Sequence, residues 1–294
     1  MKIDVQIIST QLIEPSSPTP QHLKIFKLSL LDQLIPAPYA PIILFYSSDH
    51  EIVPDKLELL KKSLSDTLTR FYPLAGRIKN DLSIVCSDEG AYFVEALVNC
   101  RFDEFLEQPD LLVLSRFLPR DFNSKEPTAG TYVTNIQVNM FRCGGIAIGV
   151  CISHKILDGA SLSTFLKAWT AAARDCKETI INPNFISTTL FPTADDLRLR
   201  NSSLVMWGSL FKKGKSVTRR IVFGASSMAA LTARATISGK YPTRVNSVSA
   251  FLWKCTMAAS KERNGFHRAS LLTHLVNLRR RMAYNTENST GNLM

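Results

Sequence analysis

Apolar and polar positions alternate with two clear periods along the chain. After Pro54, Leu57, Leu60, Leu64, Leu68 and Phe71 recur at spacings of three and four, which is one face of a helix. Pro54 and Asp55 suit its first turn, and it stops before Tyr72-Pro73, because a residue preceding proline disfavours helix. Tyr132, Thr134, Ile136, Val138 and Met140 alternate strictly with Val133, Asn135, Gln137 and Asn139, the pattern of a strand. Arg142-Cys143-Gly144-Gly145 supplies a turn. Residues 146–152 are continuously apolar, as in a strand covered on both faces. A helix begins at about Gly159 with a stripe of Leu162, Phe165, Leu166 and Trp169. Residues 42–46 form a buried-strand run, and residues 82–86 and 92–96 are short strands. Residues 23–34 predict a short strand followed by a turn within a Pro-rich stretch.

From residue 174 to 216 the periodicity fades and Asn, Pro, Ser and Lys accumulate. Beyond it the pattern predicts strands at 217–223 and 271–278, and helices at about 226–235 and 245–259. Trp169 and Trp253, at helical spacing, are expected in the core. The predicted organisation is therefore a first domain over 1–180, a crossover or linker over 181–216 and part of a second domain over 217–294.

Composition narrows the class. The 294 residues are 45% apolar and 20% charged, which excludes disorder. No apolar run reaches the roughly 18 residues of a membrane span, and the start lacks a signal-peptide block, so the expectation is a cytoplasmic protein with no membrane partner. The six cysteines form no Cys-x-x-Cys pair and no zinc spacing, so no metal and no disulfide is expected.

The net charge of +10 is uneven. Residues 201–294 carry 15 Lys and Arg against 2 acids, while residues 1–200 carry 20 against 23. The basic groups are scattered through Lys212-Lys213-Gly214-Lys215, Arg219-Arg220 and Arg279-Arg280-Arg281. No nucleic-acid-binding signature accompanies them, so nucleic acid is not an expected partner. A solvated face or a site for a phosphorylated small molecule remains.

The candidate chemistry lies between the 146–152 strand and the next helix, in Ser153-His154-Lys155-Ile156-Leu157-Asp158-Gly159. A histidine leaving a central strand stands at a sheet end, where clefts form, and its imidazole can accept a proton near neutral pH. Asp158 immediately precedes a helix, so an N-cap or an ion pair suits it better than direct chemistry. Whether it touches His154 or faces away stays open at this level.

The segments Pro18-Thr19-Pro20, Leu28-Ser29-Leu30-Leu31-Asp32, Tyr72-Pro73-Leu74-Ala75-Gly76-Arg77, His154 to Gly159, Arg244 to Lys254, Val276 to Met282 and Gly291-Asn292 recur in order along the chain. With these segments the chain resembles the plant BAHD acyltransferase family, and within it the alkaloid and terpenoid O-acetyltransferases. The resemblance implies an α/β chloramphenicol-acetyltransferase-like fold: two domains with mixed sheets flanked by helices. It implies transfer of an acyl group, in this branch acetyl, from acyl-CoA as co-substrate to a hydroxyl of a specialised metabolite, by a monomer. His154 would be the general base. Asp158 would turn from the channel to pair with Arg279, with Arg281 as the alternative. Thr243 and Arg244 would approach coenzyme A. The family's second signature, Asp-Phe-Gly-Trp-Gly, does not occur here, which implies a C-terminally truncated chain with an incomplete second domain. A non-catalytic truncated paralogue that binds a ligand or partner is the competing expectation. A peptide-synthetase condensation domain is less apt, because Ser153 stands where a second histidine belongs.

Overall fold

A computed structural model describes residues 3–35, 39–48, 54–107, 109, 112–119, 130–175, 180–194, 217, 219, 221–282 and 286–294. Cys176, the Lys212 to Lys215 run, Arg220 and most of the expected linker lie outside them. The chain divides into two units, one of Met1–Lys213 with Asn277–Met294 and one of Gly214–Val276. Residues 277–294, expected with the second domain, thus fold with the first.

Among its described residues the first unit contains eight strands: β1 (Val5–Ile13), β2 (Ile25–Lys27), β3 (Tyr39–Tyr46), β4 (Arg77–Asn80), β5 (Ser83–Val85), β6 (Ala91–Val98), β7 (Thr134–Phe141) and β8 (Ile146–Ser153). Its described α-helices are α1 (Leu30–Leu34), α2 (Pro54–Arg70), α3 (Phe102–Glu107), α4 (Gly159–Ala173) and α5 (Ser187–Leu190). A five-stranded sheet runs in the order β1-β6-β7-β8-β3, and a three-stranded sheet in the order β2-β5-β4. Within the large sheet β6 and β7 pair in parallel and the other described strand pairs are antiparallel, so the sheet is mixed.

The large sheet is covered on both faces. Leu64, Leu68 and Phe71 from the α2 stripe pack with Phe165 and Trp169 of α4 against Ile136, Val138, Ile148, Val150 and Ile152. On the opposite face Phe102, Phe105, Phe117 and Phe141 form an aromatic cluster with Phe45. Every residue of β7 is buried, including the alternating polar set. The amides of that set reach backbone carbonyls. Gln137 Nε2 donates to Arg116 O at 2.8 Å, and Asn139 Nδ2 to Phe117 O at 3.0 Å and Ala147 O at 2.9 Å. The period-two alternation therefore marks two buried faces, one of them polar. Gly149 of β8 makes this fit possible, since a Cβ there would stand 2.0 Å from Phe117 O.

Residues 23–34 form the predicted short strand but depart from the predicted turn. They form the short β2 and then the helix α1, because Ser29 and Asp32 build a reciprocal N-terminal cap.

Among its described residues the second unit contains two helices, α6 (Ala225–Ala235) and α7 (Arg244–Asn264). They pack on each other, with Phe223 edge-on to Phe251 at 6.2 Å. Thr243 caps α7 by accepting from Asn246 N at 3.2 Å, and Gly265 ends it in the left-handed conformation. The strands expected at 217–223 and 271–278 are not formed among the described residues. A strand requires a ladder of partners for its backbone groups, and among the described residues these segments pair with no strand, though Leu278 N reaches Leu293 O at 2.8 Å. Trp253, expected in the core, is 39% exposed, and Val245 and Leu252 are more so, because among the described residues no sheet layer covers α7 within its unit. No described helix is long and apolar enough to cross a membrane.

Candidate active site

β8 leads to the site. It is flanked by β7 and β3, and Ser153 N donates to Val133 O at 2.9 Å, so the strand holds its register to its last residue. His154 follows at once, half-buried in the turn that leads to α4. Asp158 closes that turn as the N-cap of α4, accepting from Ser161 N at 2.8 Å.

The Asp158 carboxylate points away from the imidazole. Its second oxygen accepts from Arg279 Nη1 at 2.7 Å and from Leu293 N at 3.1 Å. Both side chains of this ion pair are 4% exposed. Arg279 lies in a single 3-10 turn, Arg279–Arg281, rather than in the strand expected around it. Its other guanidinium N–H groups donate to Ser161 Oγ at 2.7 Å, Ser289 O at 3.0 Å and Gly291 O at 2.9 Å. A planar fork with five donors suits such a set of fixed acceptors. Arg281, the alternative partner, is exposed.

The segment 289–293 threads between the loop that carries His154 and α1. Leu157 and Gly291 form a parallel bridge. Gly291 sits at φ +123°, where a Cβ would also approach Ser187 Oγ to 2.8 Å, so glycine is required there. The next residue, Asn292, touches the histidine. His154 Nδ1 lies 3.0 Å from Asn292 Oδ1, and Asn292 Nδ2 donates to the His154 carbonyl at 2.8 Å. Asn292 is held in turn by Asp32, whose Oδ1 accepts from Asn292 N at 2.7 Å and Nδ2 at 2.9 Å. The other Asp32 oxygen accepts from Ser29 N and Ser29 Oγ. Burial pushes the Asp32 carboxyl above the ordinary 3.8, and the donors from Ser29 and Asn292 oppose the rise.

The structure thus brings His154, Asp158 and Arg279 into one neighbourhood. Thr243 and Arg244 belong to the other unit, where Thr243 caps α7 and Arg244 is exposed. Asp32 and Asn292 carried no assigned role in the sequence reading. Ser29-x-x-Asp32 has the spacing of a capping box, a signal that could have located Asp32. Nothing in the sequence alone connects Asn292 to a histidine 138 positions away.

Comparison with known proteins adds identity to this geometry. The chain is 43% identical to limonoid 7-O-acetyltransferase of Citrus sinensis over 312 residues, covering 99% of this chain and 68% of that protein. It is 36% identical to salutaridinol 7-O-acetyltransferase of Papaver somniferum, covering 95% and 63%. Among solved structures, vinorine synthase superposes with a TM-score of 0.79 at 35% identity, over 99% of this chain and 69% of that one. A Fusarium sporotrichioides TRI101 structure in complex with coenzyme A shares the fold at a TM-score of 0.58 and 18% identity, over 81% of this chain and 60% of that one. The chain spans about two thirds of the length of these relatives. With the Transferase family matched over residues 3–294, the chain belongs to the BAHD acyltransferases.

Proposed function

We propose that this protein is an acyl-CoA-dependent O-acyltransferase, acting as a cytoplasmic monomer to move an acetyl group onto a hydroxyl of a terpenoid or alkaloid. The observation that carries the reading is His154, half-buried at the end of a central strand, with Asp158 engaged elsewhere by Arg279. That leaves the imidazole as the group of the motif able to take a proton. The identity of over a third to two plant O-acetyltransferases supports the acyl chemistry and the class of acceptor.

In this mechanism His154 removes the acceptor's hydroxyl proton as the oxygen attacks the thioester carbonyl. A tetrahedral oxyanion forms. It collapses with cleavage of the C–S bond, and the imidazolium returns the proton to the departing thiolate. General-base assistance of this kind contributes about 10²–10⁴ in rate. Asp158 acts at a distance, fixing the loop through the buried ion pair. Thr243 and Arg244 are the proposed coenzyme A contacts, since a helix N-terminus with a nearby cation suits phosphate.

The test is to incubate the whole protein with acetyl-CoA and a panel of limonoid, triterpenoid and alkaloid alcohols. Free thiol and product mass are followed together. Stoichiometric thiol release with one acetyl group on the alcohol is expected. Thiol release without acylated product, or no release with any acceptor, would contradict the reading.

A further inference from the structure

Asn292 has a side-chain amide whose orientation is decided by its neighbours. Both Nδ2 hydrogens are used, one on the His154 carbonyl at 2.8 Å and one on the Asp32 carboxylate at 2.9 Å. Turning the amide over would set its oxygen against those two acceptors and its NH₂ against the imidazole. The oxygen therefore faces His154 Nδ1, and an amide oxygen only accepts. The ring nitrogen facing it must carry the hydrogen.

We infer that Asp32 and Asn292 are positioning residues that lock His154 as the Nδ1–H tautomer, leaving the Nε2 lone pair as the base. This rests on the assignment of His154 as general base and adds how its reactive nitrogen is selected. The carboxylate that orients the histidine is thus not the acid of the His-x-x-x-Asp motif. It comes from α1 and acts through an amide relay, while Asp158 is committed to Arg279. The arrangement holds whether or not Asp32 is ionised, because its Oδ1 accepts from residue 292 in either state and Ser29 Oγ faces its other oxygen. The order of the relay also ties catalysis to the docking of the 289–293 segment.

The test reads the tautomer itself. The chain is labelled with ¹⁵N-histidine and long-range ¹⁵N–¹H correlations are recorded about two pH units above the ordinary histidine pKa. His154 is assigned by its loss in His154→Gln. In the wild type, a protonated Nδ1 and a bare Nε2 are expected. Asn292→Ala, which keeps the backbone N–H to Asp32, should shift the tautomer ratio toward Nε2–H by about tenfold, the worth of one hydrogen bond. In the whole protein the same variant should lower kcat by about tenfold and leave the KM for acetyl-CoA within about twofold. Should Asn292→Ala not fold, Asp32→Ala carries the same test, with a smaller shift in the same direction.

A wild-type Nε2–H tautomer overturns the relay, as does a ratio unmoved in the folded variants. Such a result would leave the base assignment standing. Conversely, undiminished turnover by His154→Ala would remove the base assignment while the tautomer result remained.

Discussion

Replacing Arg279 by methionine removes a buried charge from a carboxylate that is itself 4% exposed. Asp158 would keep the backbone donors of Ser161 and Leu293 but lose the cation at 2.7 Å. The carbonyls of Ser289 and Gly291 and the Ser161 hydroxyl would lose a donor at the same time. Breaking a buried pair on one side costs about 3–5 kcal/mol, because the remaining charge is left uncompensated. In a unit of this size, each kcal/mol lowers Tm by about 2–4 °C, so a fall of roughly 6–20 °C is expected. Urea unfolding followed by circular dichroism measures the loss directly, with the slope checked for constancy. Asp158→Asn combined with Arg279→Met should recover part of it, since the neutral amide oxygen still accepts at the N-cap of α4 and no charge is left stranded. Arg279→Met within about 1 kcal/mol of wild type would refute the reasoning, as would a double variant no better than the single one.

The Lys24 ammonium and the Thr19 donors hold the Asp88 carboxyl below the ordinary 3.8 even though partial burial pushes the other way. A depressed folded value gives stability that is present above 3.8 and is lost as pH falls through the folded value. Lys24→Met should therefore cost up to about 1 kcal/mol near neutral pH and nothing in strong acid; a penalty equal at both ends of a pH series of unfolding curves would contradict this. Burial pushes the thiols of Cys86 and Cys151 up to about 12, while Cys255 is exposed. A thiol reagent at mildly alkaline pH, read by peptide mapping, should label Cys255 in the native chain and leave Cys86 and Cys151 untouched until denaturant is added; early labelling of either buried thiol would count against the packing.

Where side-chain period and burial agree, the fold was legible. The Leu57 to Phe71 stripe gave α2, the apolar run 146–152 gave β8, and Asp158 before Gly159 marked the start of α4. β7 shows the limit of that logic. Asn135, Gln137 and Asn139 alternate like a solvent face, yet carbonyls at 116, 117, 147 and 151 accept from their amides inside the protein. Those acceptors sit on other segments, and no local pattern announces them. Residues 271–278 have a strand's composition but no strand to pair with among the described residues, and their backbone stays irregular. At the site, His154 and Asp158 announce themselves by spacing. Asp32 shows only as the acid of a capping box and Asn292 not at all, because their meeting depends on a segment distant in sequence that returns past α1.

The account turns on His154 as the proton acceptor. The decisive measurement is kcat for His154→Ala in the whole protein, with acetyl-CoA and an acceptor the wild type acetylates, alongside circular dichroism of both. A loss of at least about 10²-fold with the fold unchanged is expected. Turnover within a few-fold of wild type in a folded variant would contradict it.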